Sequence, residues 1–339
     1  MDIHKEPIRS PAASRVISDS GFEDLVLADG FLSDFAASPP ISSYIYCLCA
    51  GQYTSIVNDD PKAPTPMRIF ARQSKIDYLD HKEVFRTITE GIGFYKNLFS
   101  YDFPFAKYDV IYVPEFRIGA MENVGAVTFT DRILKPLDQS TDKMKLMHAY
   151  IHLHELAHMW FGDLTTMRWW NDLWLKESFA DFCSVTCMSD TPSIRERYPD
   201  PELLFLNFTA RGLFADLAPT THPIQVPIKH TGDAVSSFDA ISYEKGASWI
   251  KTMDSYVGRR IVQQGLAKYV KKYAFTNTTL DDLVTCLNES VQTNGTGREG
   301  DFAAWTDDWL KKSGVNTLKA HFENSKLSIK QGFSKHGDK

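Results

Sequence analysis

Residues 154–158 read His-Glu-Leu-Ala-His, and Glu177 follows within Trp-Leu-Lys-Glu-Ser. Two histidines four apart on a helix project from one face, about one turn apart. Such a pair can hold one metal ion, and the glutamate between them stands close enough to act on a water at that ion. A catalytic zinc site takes three protein ligands and keeps a fourth position open. Glu177 supplies the third ligand if a second helix folds back beside the first. The feature therefore demands a helix, a turn and a second helix.

The local sequence supports that demand. Ser140 or Thr141 can cap a helix running through Met144, Met147, Ile151, His154, His158 and Phe161, and Gly162 can end it. Apolar residues and ligands fall at three- and four-residue steps, which puts the metal site on the buried face. Asn171 can cap the next helix, which carries Trp174, Glu177, Phe179 and Phe182. The pentapeptide alone also arises by chance in a helix with a polar stripe. The downstream glutamate in an aromatic-rich helix selects the zinc reading. His148 and His152 are also four apart, but no glutamate stands in the motif position after His148, so both read as ordinary helix residues. Asp181 is either a carboxylate that receives a ligand histidine's other N–H or a solvated acid.

Net charge bounds the partners. At −6 the chain does not have the basic balance of a nucleic-acid binder. No apolar run approaches the ~20 residues of a membrane helix. Residues 1–20 are mostly polar, are interrupted by Pro7 and Pro11 and lack an apolar signal core, so a cytoplasmic protein is expected. Five cysteines, with Cys47 and Cys49 too close for an easy mutual bridge, do not make a disulfide framework.

Strands are expected within 41–56 and at 66–72, then an amphipathic helix over 82–100, then strands at Tyr108 to Val113 and Ala126 to Thr130. Beyond the two metal-site helices, helical segments are expected at 202–217, 239–257, 259–273, 279–292 and 301–312, with Gly258 and Gly314 as stops. A small mixed sheet followed by helices implies an α+β catalytic domain.

The stretch Gly119-Ala-Met-Glu-Asn123, taken with His154-Glu155-x-x-His158 and Glu177, closely resembles the aminopeptidase N (alanyl aminopeptidase) family of zinc metallopeptidases. The likeness extends through Tyr-Asp-Phe-Pro-Phe-Ala-Lys-Tyr-Asp at 101–109, Met159 to Asp163, Trp169 to Phe182, and Phe238 to Ala247, and covers about residues 30–325. A glutamate as third ligand places that family among the gluzincins, with a thermolysin-like catalytic domain. The resemblance implies three parts: 1–75 as the last strands of an N-terminal β-domain, 76–313 as the catalytic domain, and 314–339 as the start of a following β-domain.

The resemblance also assigns roles. It implies one Zn2+ per chain on His154, His158 and Glu177, with Glu155 as general base. Glu122 resembles the glutamate that binds the substrate's free α-amino group. Gly119, Ala120 and Met121, with Asn123 completing the motif, look like the edge strand along which a peptide lies. Tyr243 matches the tyrosine that stabilises the oxyanion. The implied substrates are peptides with a free N-terminus. Lys176 stands where many members have Asn, and Ser178 replaces a common Gly; neither is a metal ligand. The second acidic residue that helps bind the amine is not found in this chain. Two other readings of the same motifs are an epoxide hydrolase with residual aminopeptidase activity and a non-catalytic scaffold of the same fold.

Overall fold

A computed structural model describes residues 8–10, 15–17, 22–27, 30–294 and 302–333. Its helices are α1 (His81–Phe99), α2 (Asp142–His158), α3 (Trp174–Asp190), α4 (Pro192–Arg197), α5 (Pro201–Leu217), α6 (Thr231–Ala234), α7 (Gly246–Val257), α8 (Arg259–Tyr273), α9 (Leu280–Asn294) and α10 (Phe302–Leu310). The chain divides into two compact units. One comprises residues up to Thr166 with Thr186–Pro199 and Tyr273–Thr276; the other comprises Met167–Val185, Asp200–Lys272 and the residues from Asn277.

The first unit is built on a five-stranded mixed sheet in the order Tyr53–Val57, Met67–Arg72, Tyr108–Val113, Ala126–Thr130, Ala120–Met121. Met67–Arg72, Tyr108–Val113 and Ala126–Thr130 run parallel, and the outer two strands run antiparallel to their neighbours. Every residue of Ala126–Thr130 is buried, as parallel strands covered on both faces require. The Asp80 carboxylate accepts from the Glu83 amide at 3.2 Å and starts α1. Phe85, Ile88, Ile92, Tyr95 and Phe99 then form its buried stripe.

Helix α1 fixes α2. A Cβ on Gly91 would lie 2.6 Å from Leu153 Cδ2 and 2.8 Å from Leu156 Cδ2, so α2's leucines fill the space that a side chain at 91 would take. The Tyr95 hydroxyl donates to the Leu153 carbonyl at 2.9 Å. From the sheet, the Tyr112 hydroxyl meets His152 Nε2 at 2.9 Å, and the His152 ring packs on Phe129 with centroids 4.5 Å apart. His152 is thus a fastening residue, in keeping with its reading as an ordinary helix residue. Helix α4, which the sequence did not announce, ties Arg197 to Glu83 and Glu90, each at 2.7 Å.

The second unit is mostly helical. Its core holds Trp174 edge-on to Trp249 at 5.6 Å, with Trp305 against Trp249 at 6.0 Å. Two details differ from the sequence expectations. Asn171 does not cap α3. A 3-10 turn, Trp170–Asp172, precedes the helix, and buried Asp172 instead accepts from Gln225 Nε2 at 2.6 Å and the Leu280 amide at 3.3 Å. The segment expected as one helix over 239–257 opens with a π-helical turn, Ile241–Lys245, before α7. In the first unit, the strand stretch expected at 41–56 resolves into a 3-10 turn, Ser43–Ile45, and strands Cys49–Gly51 and Tyr53–Val57. All five cysteines are free thiols. Among the described residues no helix is long and apolar enough to cross a membrane.

Candidate active site

In the first unit the site begins at the end of α2. Thr141, one of the two expected caps, accepts from the Met144 amide at 3.3 Å. Thirteen residues on, His154 and His158 lie one turn apart, both buried, with their Nε2 atoms converging to 3.1 Å. Two nitrogens on one tetrahedral zinc, each bonded at about 2.0–2.1 Å, lie about 3.3 Å apart. The observed spacing fits a shared ion. His158 Nδ1 lies 3.0 Å from the Phe161 carbonyl. A carbonyl only accepts, so Nδ1 carries the proton and Nε2 keeps its lone pair for a metal.

The turn after α2 explains Gly162. Its φ is +134°, and a Cβ there would lie 3.3 Å from His158 Nδ1. A side chain would crowd the ring while adopting a conformation that only glycine takes easily. The Asp163 amide donates to the His158 carbonyl at 3.0 Å, and Thr166 Oγ1 donates to the Gly162 carbonyl at 2.7 Å. The first satisfies a carbonyl that the helix end leaves open, and the second ties down the turn that follows.

Glu155 is buried between the two histidines in sequence. Burial, followed by the charges of Glu155 and Asp163, pushes the Tyr108 phenol well up. Glu122 lies just past the edge strand Ala120–Met121 and is 3% exposed. One carboxylate oxygen each from Glu122 and Glu155 and one ring nitrogen of His158 all lie within 4.8 Å of one another. The sequence motifs 119–123 and 154–158 therefore meet at one place. Gly119 is exposed and Ala120 and Met121 are half-buried, while Asn123 is buried. Asn123 braces the bend: its Oδ1 accepts from Thr128 Oγ1 at 2.9 Å, and its Nδ2 donates to the Ile45 carbonyl at 3.1 Å. The Tyr44 hydroxyl donates to Glu122 Oε1 at 3.1 Å. Sequence reasoning missed Tyr44, which stands 78 residues upstream in a stretch read only as strand.

In the second unit Glu177 lies in the first turn of α3, 3% exposed. Its carboxylate pairs at 2.5 Å with the ammonium of Lys176, which also stands over the Phe238 ring at 5.9 Å. The residue that departs from the family pattern thus touches the candidate ligand itself. Asp181 is buried at 1% exposure, which removes the solvated reading.

Tyr243 sits half-buried on the π turn, and that turn is held on several sides. Asp239 Oδ1 accepts from the amides of Ile241 at 3.0 Å and Ser242 at 3.1 Å. Asp239 Oδ2 meets His222 Nε2 at 2.7 Å, while His222 Nδ1 faces the Pro223 carbonyl at 2.7 Å. Both ring nitrogens face acceptors. The Asp239 bond, against the opposing effect of burial, raises the His222 pKa. Burial works to raise Asp239, but bonds from His222 and the two amides prevail and lower it. The stabilisation from the raised histidine is fully present below the ordinary imidazole value and is lost as pH rises through the raised one.

Glycines let two helices press on this turn. A Cβ on Gly212 of α5 would lie 2.8 Å from the Lys245 backbone nitrogen. From α3, Ser178 Oγ donates to the Ser242 carbonyl at 2.6 Å. A Cβ on Gly246 would lie 1.9 Å from Ser178 Oγ and 2.9 Å from its Cβ. Ser178, the second departure, thus connects the residue after Glu177 to the residue before Tyr243, and requires glycine at 246. Gly246→Ala is expected to destabilise the protein by about 1–3 kcal/mol through overpacking, less the ~1 kcal/mol that alanine gains over glycine in a helix. Thermal unfolding checks this. Adding Ser178→Gly should restore the midpoint, and no recovery would show that the clash is not with Ser178.

The Peptidase family M1 domain matches residues 84–314. Aminopeptidase N of Streptomyces lividans is 38% identical over 304 residues, covering 89% of this chain and 34% of that protein. Leucyl aminopeptidase of Saccharolobus solfataricus is 33% identical over 299 residues, covering 88% of this chain and 36% of that protein. Aminopeptidase M1 of Arabidopsis thaliana is 33% identical over 300 residues, covering 88% of this chain and 32% of that protein. The chain spans about a third of the length of these relatives. The matched domain carries the converging histidines, Glu155, Glu122 and Tyr243 in one run, and the chain belongs to the M1 family of peptidases.

Proposed function

We propose that this chain is the catalytic part of a zinc-dependent aminopeptidase that removes the N-terminal residue from peptides. The observation that carries the reading is the placing of Glu122 within 4.8 Å of Glu155 and His158, through atoms able to bind an ion. An endopeptidase needs no anionic anchor beside its base. An enzyme that measures from a free ammonium does.

We assign the ion to His154, His158 and Glu177. All three are buried, and two imidazoles with one carboxylate are a donor set of catalytic zinc. When bound, zinc supplies Lewis acidity that polarises a carbonyl and makes water acidic enough to attack at neutral pH. Glu122 binds the substrate's ammonium by charge-assisted hydrogen bonds and so fixes which carbonyl reaches the reacting water. The peptide backbone lies along Gly119, Ala120 and Met121, where the sheet ends in an open edge. Asn123 holds the bend that aims Glu122. Glu155 accepts the proton of the attacking water and returns it to the leaving amine. Tyr243 donates to the oxyanion as charge develops there, and a turn held from several sides keeps that donor in place.

The three-part division at 75 and 313 belongs to the same proposal and rests on the extent of the resemblance.

The test is a blocked substrate. A peptide with a free amine should be cleaved one residue at a time, and its N-acetylated form hardly at all. Glu122→Ala should keep its zinc and lose about one to two powers of ten in kcat/KM for free-amine peptides, the worth of a hydrogen bond to a charged group. Equal cleavage of free and blocked peptides, or internal cuts, would overturn the aminopeptidase reading.

A further inference from the structure

Glu122 is not held by its own loop alone. The 3-10 turn Ser43–Ile45 lies beside the bend that carries it. Ile45 is fully buried and anchors that turn, and its carbonyl accepts from Asn123 Nδ2 at 3.1 Å. One residue before it, Tyr44 sends its hydroxyl to Glu122 Oε1 at 3.1 Å. The same hydroxyl lies 3.4 Å from the carbonyl of Gly162, in the turn that closes α2 behind His158. Tyr44 therefore stands between the acid and the end of the histidine helix.

We propose that Tyr44 is a positioning residue of the amine site: its hydroxyl holds the Glu122 carboxylate where it meets the N-terminal ammonium of a peptide. The proposal rests on the reading of Glu122 as the ammonium anchor. A phenol has one proton to give. Between an ionised carboxylate and a backbone carbonyl, the carboxylate forms the stronger bond, because it is charge-assisted. The distances agree, 3.1 Å to Glu122 against 3.4 Å to Gly162. Glu122 has three side-chain torsions, and a bond to its carboxylate narrows them. An ammonium anchor works only if it sets the scissile carbonyl to within a fraction of an ångström, since small misplacements cost catalysis heavily. A hydroxyl fixed by a buried turn supplies that constraint. The segment around residue 44 thereby contributes to recognition of the chain end.

A merely packing role for the Tyr44 ring makes a different prediction, because it would affect every ligand alike. The test uses the zinc-loaded protein, its Tyr44→Phe and Glu122→Gln variants and the double variant. Inhibition constants are read for an amino-acid hydroxamate and for the same hydroxamate with hydrogen in place of the amine. Tyr44→Phe is expected to weaken the amine-bearing inhibitor by about tenfold, on the scale of a hydrogen bond to a charged group, and to leave the amine-free one unchanged. In the double variant the two losses should not add, since both substitutions act on one interaction. Equal weakening of both inhibitors, additive losses, or failure of Tyr44→Phe to fold would each overturn the proposal, because phenylalanine keeps the ring and removes only the hydroxyl. If Glu122→Gln binds both inhibitors as the wild type does, the anchor assignment itself falls, and with it the role given to Tyr44. If Glu122→Gln discriminates and Tyr44→Phe does not, only Tyr44 is wrongly placed.

Discussion

Glu155→Gln is expected to retain zinc and to lower kcat by about 10²–10⁴-fold, the usual worth of a general base. The substitution keeps the shape of the side chain and removes the proton acceptor. Glu155 is buried at 6% exposure in the helix that also carries His154 and His158, so an isosteric amide leaves the helix and its leucine contacts undisturbed. Elemental analysis beside turnover of a fluorogenic aminoacyl amide gives both readings from one preparation. Wild-type turnover in the zinc-loaded variant would refute the assignment of Glu155. Zinc lost together with activity would instead show that residue 155 helps to hold the ion.

Glu177→Ala is expected to cut both zinc content and activity. A site that loses one of three protein ligands is left with two imidazoles, and metal affinity falls sharply. The substitution also leaves the Lys176 ammonium, 3% exposed, without the carboxylate it contacts at 2.5 Å. Taking a carboxylate away from a buried ammonium is costly, so thermal stability should fall in the metal-free protein as well. Full zinc occupancy of Glu177→Ala after dialysis against a weak chelator would exclude Glu177 as a ligand. The double variant Lys176→Asn/Glu177→Ala separates the two effects. It should recover stability and not zinc.

The parts of the fold that depend on repeated local pattern were legible in the sequence. Strands at 108–113 and 126–130, helix α8 and the Thr141 cap fall where residue type and spacing put them. Motifs whose spacing is itself the geometry were also legible, above all His154 and His158, because one helix dictates their relation. What escaped depends on contacts between distant segments. Tyr44 looks like any strand tyrosine until the chain brings it to Glu122. The π turn at Ile241–Lys245 lies inside an unbroken helical pattern, and what holds it is glycine at 212 and 246 with Ser178 and Asp239, none of which changes the apolar period. Asn171 was the plausible cap by residue type, but a 3-10 turn intervenes before α3. Lys176 was read as a departure that is not a metal ligand, and its contact with Glu177 is visible only once both side chains are seen to be buried together.

The edge strand Ala120–Met121 is two residues long. A long open edge invites pairing with any extended chain, and a short one is a common safeguard against self-association. Here the same brevity limits what a bound guest can gain. Two residues offer main-chain hydrogen bonds to only the first few residues of a peptide. Residues further along would project past the sheet and add no ladder. If the chain trims peptides as proposed, pairing along this edge should make turnover depend on a peptide's leading residues, and residues further along should gain nothing from it.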